Sequence, residues 1–245
     1  MIDLINLSRA CKTFHTAEPF NHCVIDNFLP TELAQAVEQE FLDFNSSEWF
    51  VYDNAIEVKK QNKDWGLFPK NTYQLFCYLN STEFVNILGK LVGVKLYADP
   101  GLHGGGWHMH GPGGVLNPHL DYSLHPKLGL QRKINIIIYL SSDLKEEHGG
   151  HLGLYTGTAD QSDRLVKEVA PVFNRAVLFD TTQNSWHGMS RKLVQPDGIY
   201  RKSFAVYYLT DPPADVDTRS RALFSPTEEQ RDNKEITEFI KARDQ

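Results

Sequence analysis

Ile134–Leu140 is a nearly continuous apolar run, four of its seven residues isoleucine. It is too short for a buried helix and rich in β-branched side chains, so it reads as a strand covered on both faces. Such a strand needs partners at its edges and layers above and below. Val169–Asp180 and Arg201–Thr210, rich in Val, Phe and Tyr, supply further strands, and Gly149-Gly150 marks a turn. Many short strands at this spacing predict a β-sandwich or jelly roll from about residue 92 onward.

The residues before that point read differently. Val24-Ile25 is a short extended entry. Thr31 then stands where it can cap a helix carrying Leu33, Val37, Phe41 and Phe44. A second helix is expected from Asn80-Ser81, because Phe84, Ile87, Leu88 and Leu91 recur at i, i+3, i+4 and i+7 and form a core-facing stripe. The segment Gly101–Gly114 is rich in turn residues, and Gly104-Gly105-Gly106 reads as a flexible rim. Ser225-Pro226-Thr227-Glu228 reads as a capping box opening a C-terminal helix to about Ala242, docked through Ile236, Phe239 and Ile240 on the β core or on a second subunit. The expected class is mainly β with flanking α.

Hydrophobic content of 41% over 245 residues is enough for a full core. A net charge of −6 argues against nucleic acid or an anionic membrane surface as partner. Cys11, Cys23 and Cys77 have no paired or metal-type spacing, which fits free thiols in a reducing compartment. No basic start precedes an apolar run, and no stretch approaches a membrane span. The expectation is a soluble, cytoplasmic protein.

The chemistry is expected on three strands. His119 and Asp121, at i and i+2, share a strand face, and a distant His187 would complete a 2-His-1-carboxylate set with open positions for an iron(II) ion. Asn135, Ile137 and Tyr139 alternate with Ile136, Ile138 and Leu140. Arg201 and Ser203 share a face with Ala205 and Tyr207. An arginine turned into a barrel must meet an anion, and its planar fork matches a carboxylate. Ser203 and Tyr139 could add hydroxyl donors to that anion.

These segments resemble the iron(II)- and 2-oxoglutarate-dependent oxygenases, in particular their prolyl-4-hydroxylase-like branch. The resemblance rests on His119-Leu120-Asp121, Arg132–Leu140, Glu147–Leu152, Phe173–Phe179, Trp186-His187-Gly188 and Arg201–Tyr208, in that order. It implies one oxygenase domain over residues 1–245. In this division 1–94 is a helical support region, 95–211 a double-stranded β-helix of the jelly-roll or cupin-like kind, and 212–245 a helical tail. It implies that His119, Asp121 and His187 bind Fe(II), and that Arg201, with Ser203, Tyr139 and Asn135, binds the cosubstrate 2-oxoglutarate. It also implies O2 as oxidant and L-ascorbate as a reductant. The activity implied is hydroxylation of an unactivated C–H bond, coupled to decarboxylation of 2-oxoglutarate to succinate and CO2. The leading substrate is a peptidyl-proline, with a small molecule as the alternative; a homodimer is possible.

One departure concerns spacing. Arg201 follows His187 by 14 residues (201 − 187), farther than in the better-known prolyl hydroxylases, where the partner can be lysine. Arg191 is nearer and becomes a candidate substrate contact or a solvated loop charge. His151 is placed at the cavity edge. Trp107, Trp186 and Tyr122 read either as a substrate wall or as packing. Two other classes stay open: a binding or sensing module without turnover, and a cupin-type metal hydrolase or isomerase built on His108 and His110.

Overall fold

The computed structural model describes residues 2–243. Five α-helices are α1 (Leu4–Cys11), α2 (Thr31–Gln39), α3 (Lys70–Leu79), α4 (Thr82–Val92) and α5 (Lys234–Arg243). Fourteen strands run in order as β1 (His22–Ile25), β2 (Phe50–Asn54), β3 (Glu57–Asn62), β4 (Tyr97–Ala98), β5 (Gly106–His110), β6 (Val115–Leu116), β7 (His119–Leu120), β8 (Gln131–Tyr139), β9 (Leu152–Gly157), β10 (Ser162–Val169), β11 (Ala176–Asp180), β12 (His187–Met189), β13 (Arg201–Thr210) and β14 (Leu223–Phe224). The major sheet has the order β1-β11-β8-β13-β5-β3-β2, with β4 on β13 and β6 on β3. The minor sheet has the order β10-β9-β12-β7-β14.

All these pairings are antiparallel, and the two sheets face each other as a double-stranded β-helix. Strand alternation gives the major sheet two buried faces. Ile134, Ile136, Ile138, Phe204, Val206 and Tyr208 pack with the helices, joined by Phe84 and Leu88 of α4. Tyr139, Val177 and Phe179 face the other way and pack on Leu152 and Leu154 of the minor sheet. The apolar run at 134–140 therefore sits between two layers, as its composition requires.

Several local expectations change. Thr31 is the first residue of α2 and not its cap; the preceding Pro30 offers no side-chain bond. Ser81 does cap α4, accepting from the Phe84 amide at 3.2 Å. The region expected to be helical support also contains the hairpin β2–β3, which extends the major sheet. At the C-terminus the capping box is Thr227 with Gln230, and it opens only a 3₁₀ turn, Glu228–Gln230. The helix itself starts at Lys234, where the Asn233 side chain accepts from the Glu235 and Ile236 amides. Ile240 of α5 packs with Ile56 and Phe224, so the tail docks on this chain's own β core. The glycine segment is not a loose rim: Gly106 lies in β5 with φ +90°, and a Cβ there would stand 2.3 Å from the Asn62 carbonyl oxygen. Among the described residues no helix is long and apolar enough to cross a membrane.

Helix α3 has no side-chain cap of its own, since Pro69 precedes it. Glu40, just past α2, replaces it. Its carboxylate accepts from the Asn71 amide (3.0 Å), the Thr72 amide (2.6 Å) and both side chains (2.7 and 2.8 Å). Those amides carry the positive end of the helix dipole. Burial works to raise the carboxyl's pKa, but the bonds from Asn71 and Thr72 outweigh it and hold it below its ordinary value. Glu40→Ala should cost about 1–2 kcal/mol in urea denaturation at neutral pH. Because the native value is the lower one, this stabilisation is complete above the unfolded carboxyl's pKa and is lost as pH falls through the native value. The gap between variant and unaltered protein should therefore close in acid.

Candidate functional site

β7 and β12 pair with His119 opposite His187, which places the two imidazoles side by side with ring centroids 4.3 Å apart. Asp121 follows one residue beyond the end of β7 and still turns back toward them. Its Oδ1 is 4.0 Å from His119 Nε2 and its Oδ2 is 3.8 Å from His187 Nε2. One donor atom from each of the three residues lies within 4.8 Å of the others, and all three side chains are buried. Each Nδ1 is 2.8–3.0 Å from a backbone carbonyl, of Asn117 for His119 and of Ser185 for His187. That bond puts the proton on Nδ1 and turns the Nε2 lone pair into the site.

Electrostatics favour the same state. Burial pushes His119 down to about 3, helped by His187, and lowers His187 as well, so both imidazoles are neutral at neutral pH. Burial acts against an ionised Asp121, but Arg132 and the two imidazoles outweigh it and keep the carboxyl below its ordinary value. Arg132 Nη1 lies 3.0 Å from Asp121 Oδ1. Two neutral imidazoles and one carboxylate suit a divalent iron ion and leave positions on its other side open.

The triad lines one wall of a cavity of about 410 Å³. The facing wall is the inner face of the major sheet, where the register sets Arg201 opposite His110 and Ser203 opposite both His108 and Tyr139. Arg201 is 6% exposed. Its Nε donates to the Gly150 carbonyl at 2.8 Å, and its guanidinium stands 4.9 Å from the Tyr139 ring centroid. Among the described residues it has no carboxylate partner, and burial lowers its pKa. A buried guanidinium in this condition favours an anion from outside the chain.

Ser203 and Asn135 line the same cavity, and the Asn135 side-chain oxygen has no partner. Tyr139 is fully buried beside Arg201, between the sheets, and its hydroxyl is also unpartnered. Arg201, Ser203 and Asn135 thus line one cavity as the strand alternation predicts, with Asn135 farther along it opposite Tyr207, whereas Tyr139 stands beside Arg201 without lining the cavity.

Other expectations are corrected or sharpened. His108 and His110 are cavity residues of β5 next to Arg201. Burial drives His108 down to about 3 and holds His110 well below its ordinary value, with Arg201 and Lys59 adding to both effects. Those cations make the pair a poor site for a metal ion and a good source of neutral N–H donors. His151 is buried but does not line the cavity. Arg191 is a surface residue whose Nε lies 3.0 Å from Glu168. Trp107 and Trp186 are fully buried packing; only Tyr122 of the three aromatics reaches the cavity.

Three contributors were absent from the sequence reading. The hairpin β2–β3 brings Tyr52, Glu57, Lys59 and Gln61 to the mouth. The tail brings Arg221, Phe224 and Arg243, with Phe224 stacked on His119 at 5.2 Å. The third is Arg132. Simple alternation places it with Ile134 on the helix-facing side, but Tyr208 pairs Ile134 while Leu209 pairs Arg132, so a bulge at Lys133 turns Arg132 into the cavity.

Residues 105–209 match the model of the 2OG-Fe(II) oxygenase superfamily. No curated protein matches the chain. A prolyl-4-hydroxylase from Pseudomonas putida is similar in structure, with a TM-score of 0.58 at 15% identity, over 84% of this chain and 100% of that one. A prolyl hydroxylase from Trichoplax adhaerens, solved with a hypoxia inducible factor oxygen degradation domain peptide fragment, gives 0.59 at 17% identity, over 84% and 90%. HygX from Streptomyces hygroscopicus, solved with nickel, 2-oxoglutarate and hygromycin B, gives 0.55 at 14% identity, over 89% and 98%. Triad, facing arginine, family match and fold agree: the segment 105–209 is similar to the 2OG-Fe(II) oxygenase superfamily, and the chain has a prolyl-4-hydroxylase-like fold.

Proposed function

We propose that this protein is an Fe(II)- and 2-oxoglutarate-dependent dioxygenase that hydroxylates an unactivated C–H bond. The observation that carries the reading is the pairing, across one cavity, of a buried 2-His-1-carboxylate cluster with a buried arginine that has no anionic partner. His119, Asp121 and His187 would hold the iron. Arg201 would grip the distal carboxylate of 2-oxoglutarate, with the Ser203 and Tyr139 hydroxyls and the Asn135 amide as further contacts. His108 and His110, held neutral beside Arg201, extend that donor set without competing for the metal.

Iron held by His119, Asp121 and His187, with 2-oxoglutarate and O2, would supply the oxidising chemistry, with succinate and CO2 as the coproducts. The chain's own contribution is to bind and orient. Backbone carbonyls of Asn117 and Ser185 fix the imidazole tautomers. The fork of Arg201 sets the cosubstrate's direction, while Phe224, Leu152 and Ile137 keep part of the cavity apolar. The mouth, formed by the hairpin and the tail, receives the substrate. The complexes of similar proteins with a peptide fragment and with hygromycin B make a peptidyl-proline or a small molecule the substrate classes to test.

The enzyme assay is consumption of 2-oxoglutarate and formation of succinate with Fe(II), O2 and ascorbate, across peptide and metabolite panels read for a mass gain of one oxygen. His119→Ala and Asp121→Ala should each abolish turnover and Fe(II) binding; turnover equal to that of the unaltered protein would reject the assignment. Arg201→Ala should retain metal and weaken 2-oxoglutarate binding at least ~30-fold, the equivalent of roughly 2 kcal/mol for a lost buried charge contact. Loss of metal in that variant would instead reject the assigned role.

A further inference from the structure

We infer that Arg132 is a positioning residue that confines Asp121 to a single metal-facing oxygen. The inference rests on the reading of His119, Asp121 and His187 as the iron ligands. Arg132 is 2% exposed, and both terminal nitrogens of its guanidinium are engaged, while the buried Nε has no hydrogen-bond partner. Its carbon lies 3.3 Å from the Tyr122 ring centroid on one face and 3.4 Å from that of Tyr207 on the other. Nη1 meets Asp121 Oδ1 at 3.0 Å, and Nη2 donates to the His103 carbonyl at 2.6 Å. Gly104 closes the remaining side, since a Cβ there would stand 2.8 Å from Nη2. A side chain this enclosed has one conformation available, so its two N–H arms act as a fixed template.

The two oxygens of Asp121 are consequently unlike each other. Oδ1 accepts from Arg132, and the Tyr207 hydroxyl adds a long contact at 3.5 Å. Oδ2 has no hydrogen-bond partner and lies 3.8 Å from His187 Nε2, while Oδ1, bonded to Arg132, stands 4.0 Å from His119 Nε2. The backbone of Asp121 is anchored too, its carbonyl accepting from Arg219 Nη2 at 3.0 Å. A free carboxylate can bind a cation through one oxygen or both, and two-oxygen binding takes up one more coordination position. Arg132, bonded to Oδ1, competes with a cation for that oxygen and disfavours the two-oxygen mode. It also offsets the carboxylate's charge, so that a divalent ion keeps more of its attraction for an anionic chelator. The bulge at Lys133 that aims Arg132 inward is thus part of the site's construction.

The test uses Mn(II) alone as probe. In a crystal structure of the Mn(II)-loaded unaltered protein, Asp121 should reach the metal through Oδ2 only, with Arg132 still on Oδ1; both oxygens on the metal would overturn the inference. In Arg132→Met both oxygens should bind. Water-proton relaxivity of the bound Mn(II) should then fall by about a third, as one of three open positions of an octahedral site is taken. Affinity of the Mn(II) form for 2-oxoglutarate should weaken about 10- to 100-fold. Arg132→Lys, which keeps the charge without the fork, should lie between the two. Unchanged relaxivity and 2-oxoglutarate affinity in a folded Arg132→Met would overturn the inference while leaving the triad in place. If Asp121→Ala binds Mn(II) as tightly as the unaltered protein, it is the triad reading that fails. Should Arg132→Met lack a cooperative melt, the unaltered protein's Mn(II) structure still decides the matter.

Discussion

The antiparallel pairing of β13 with β8 on one edge and β5 on the other fixes the two sides of this molecule. Each strand is buried on both faces, so alternation sends Phe204, Val206 and Tyr208 to the helices and Arg201, Ser203 and Ala205 to the cavity. A slip of one residue would put the arginine into the aromatic core and a phenylalanine onto the cavity wall. The apolar side makes that slip prohibitively costly, and the same contacts that stabilise the fold therefore aim the polar residues.

Charge inside the cavity is arranged by the same logic. Asp121 and Arg132 compensate each other directly, at 3.0 Å, and both are buried. Lys59 and Arg243 share the buried Glu57, at 2.9 and 3.6 Å. Arg201 is the exception, a buried cation whose contacts are a backbone carbonyl and an aromatic ring. In a chain of net charge −6, an uncompensated interior cation shares one cavity with two neutral imidazoles and a carboxylate, an arrangement suited to a ligand that is anionic at one end and chelating at the other.

The grouping of His119, Asp121 and His187 was legible in the sequence because it depends on little more than two-residue spacing and a matched strand around His187. Arg201 and Ser203 were legible because β13 is regular along its cavity-facing half. Arg132 was not, since the bulge at Lys133 reverses its parity and nothing local announces it. The hairpin β2–β3 was missed because Phe50–Asn54 and Glu57–Asn62 are mostly polar and half-exposed, so they lack the alternation that marks a core strand. His108 and His110 sit among glycines that suggest a loop. In the fold those glycines allow β5 to press against β3 and β13, which carries both histidines inward. What the sequence could not express was proximity created by packing between distant segments.

The central claim is that the metal cluster and Arg201 are two ends of one binding site. Calorimetric titration of the protein with 2-oxoglutarate, anaerobically with Fe(II) and again without metal, tests it most directly. Because a ligand that bridges both ends couples them thermodynamically, one equivalent should bind in the presence of metal, at least ~10-fold more tightly than in its absence. Equal affinity with and without the metal would contradict the account.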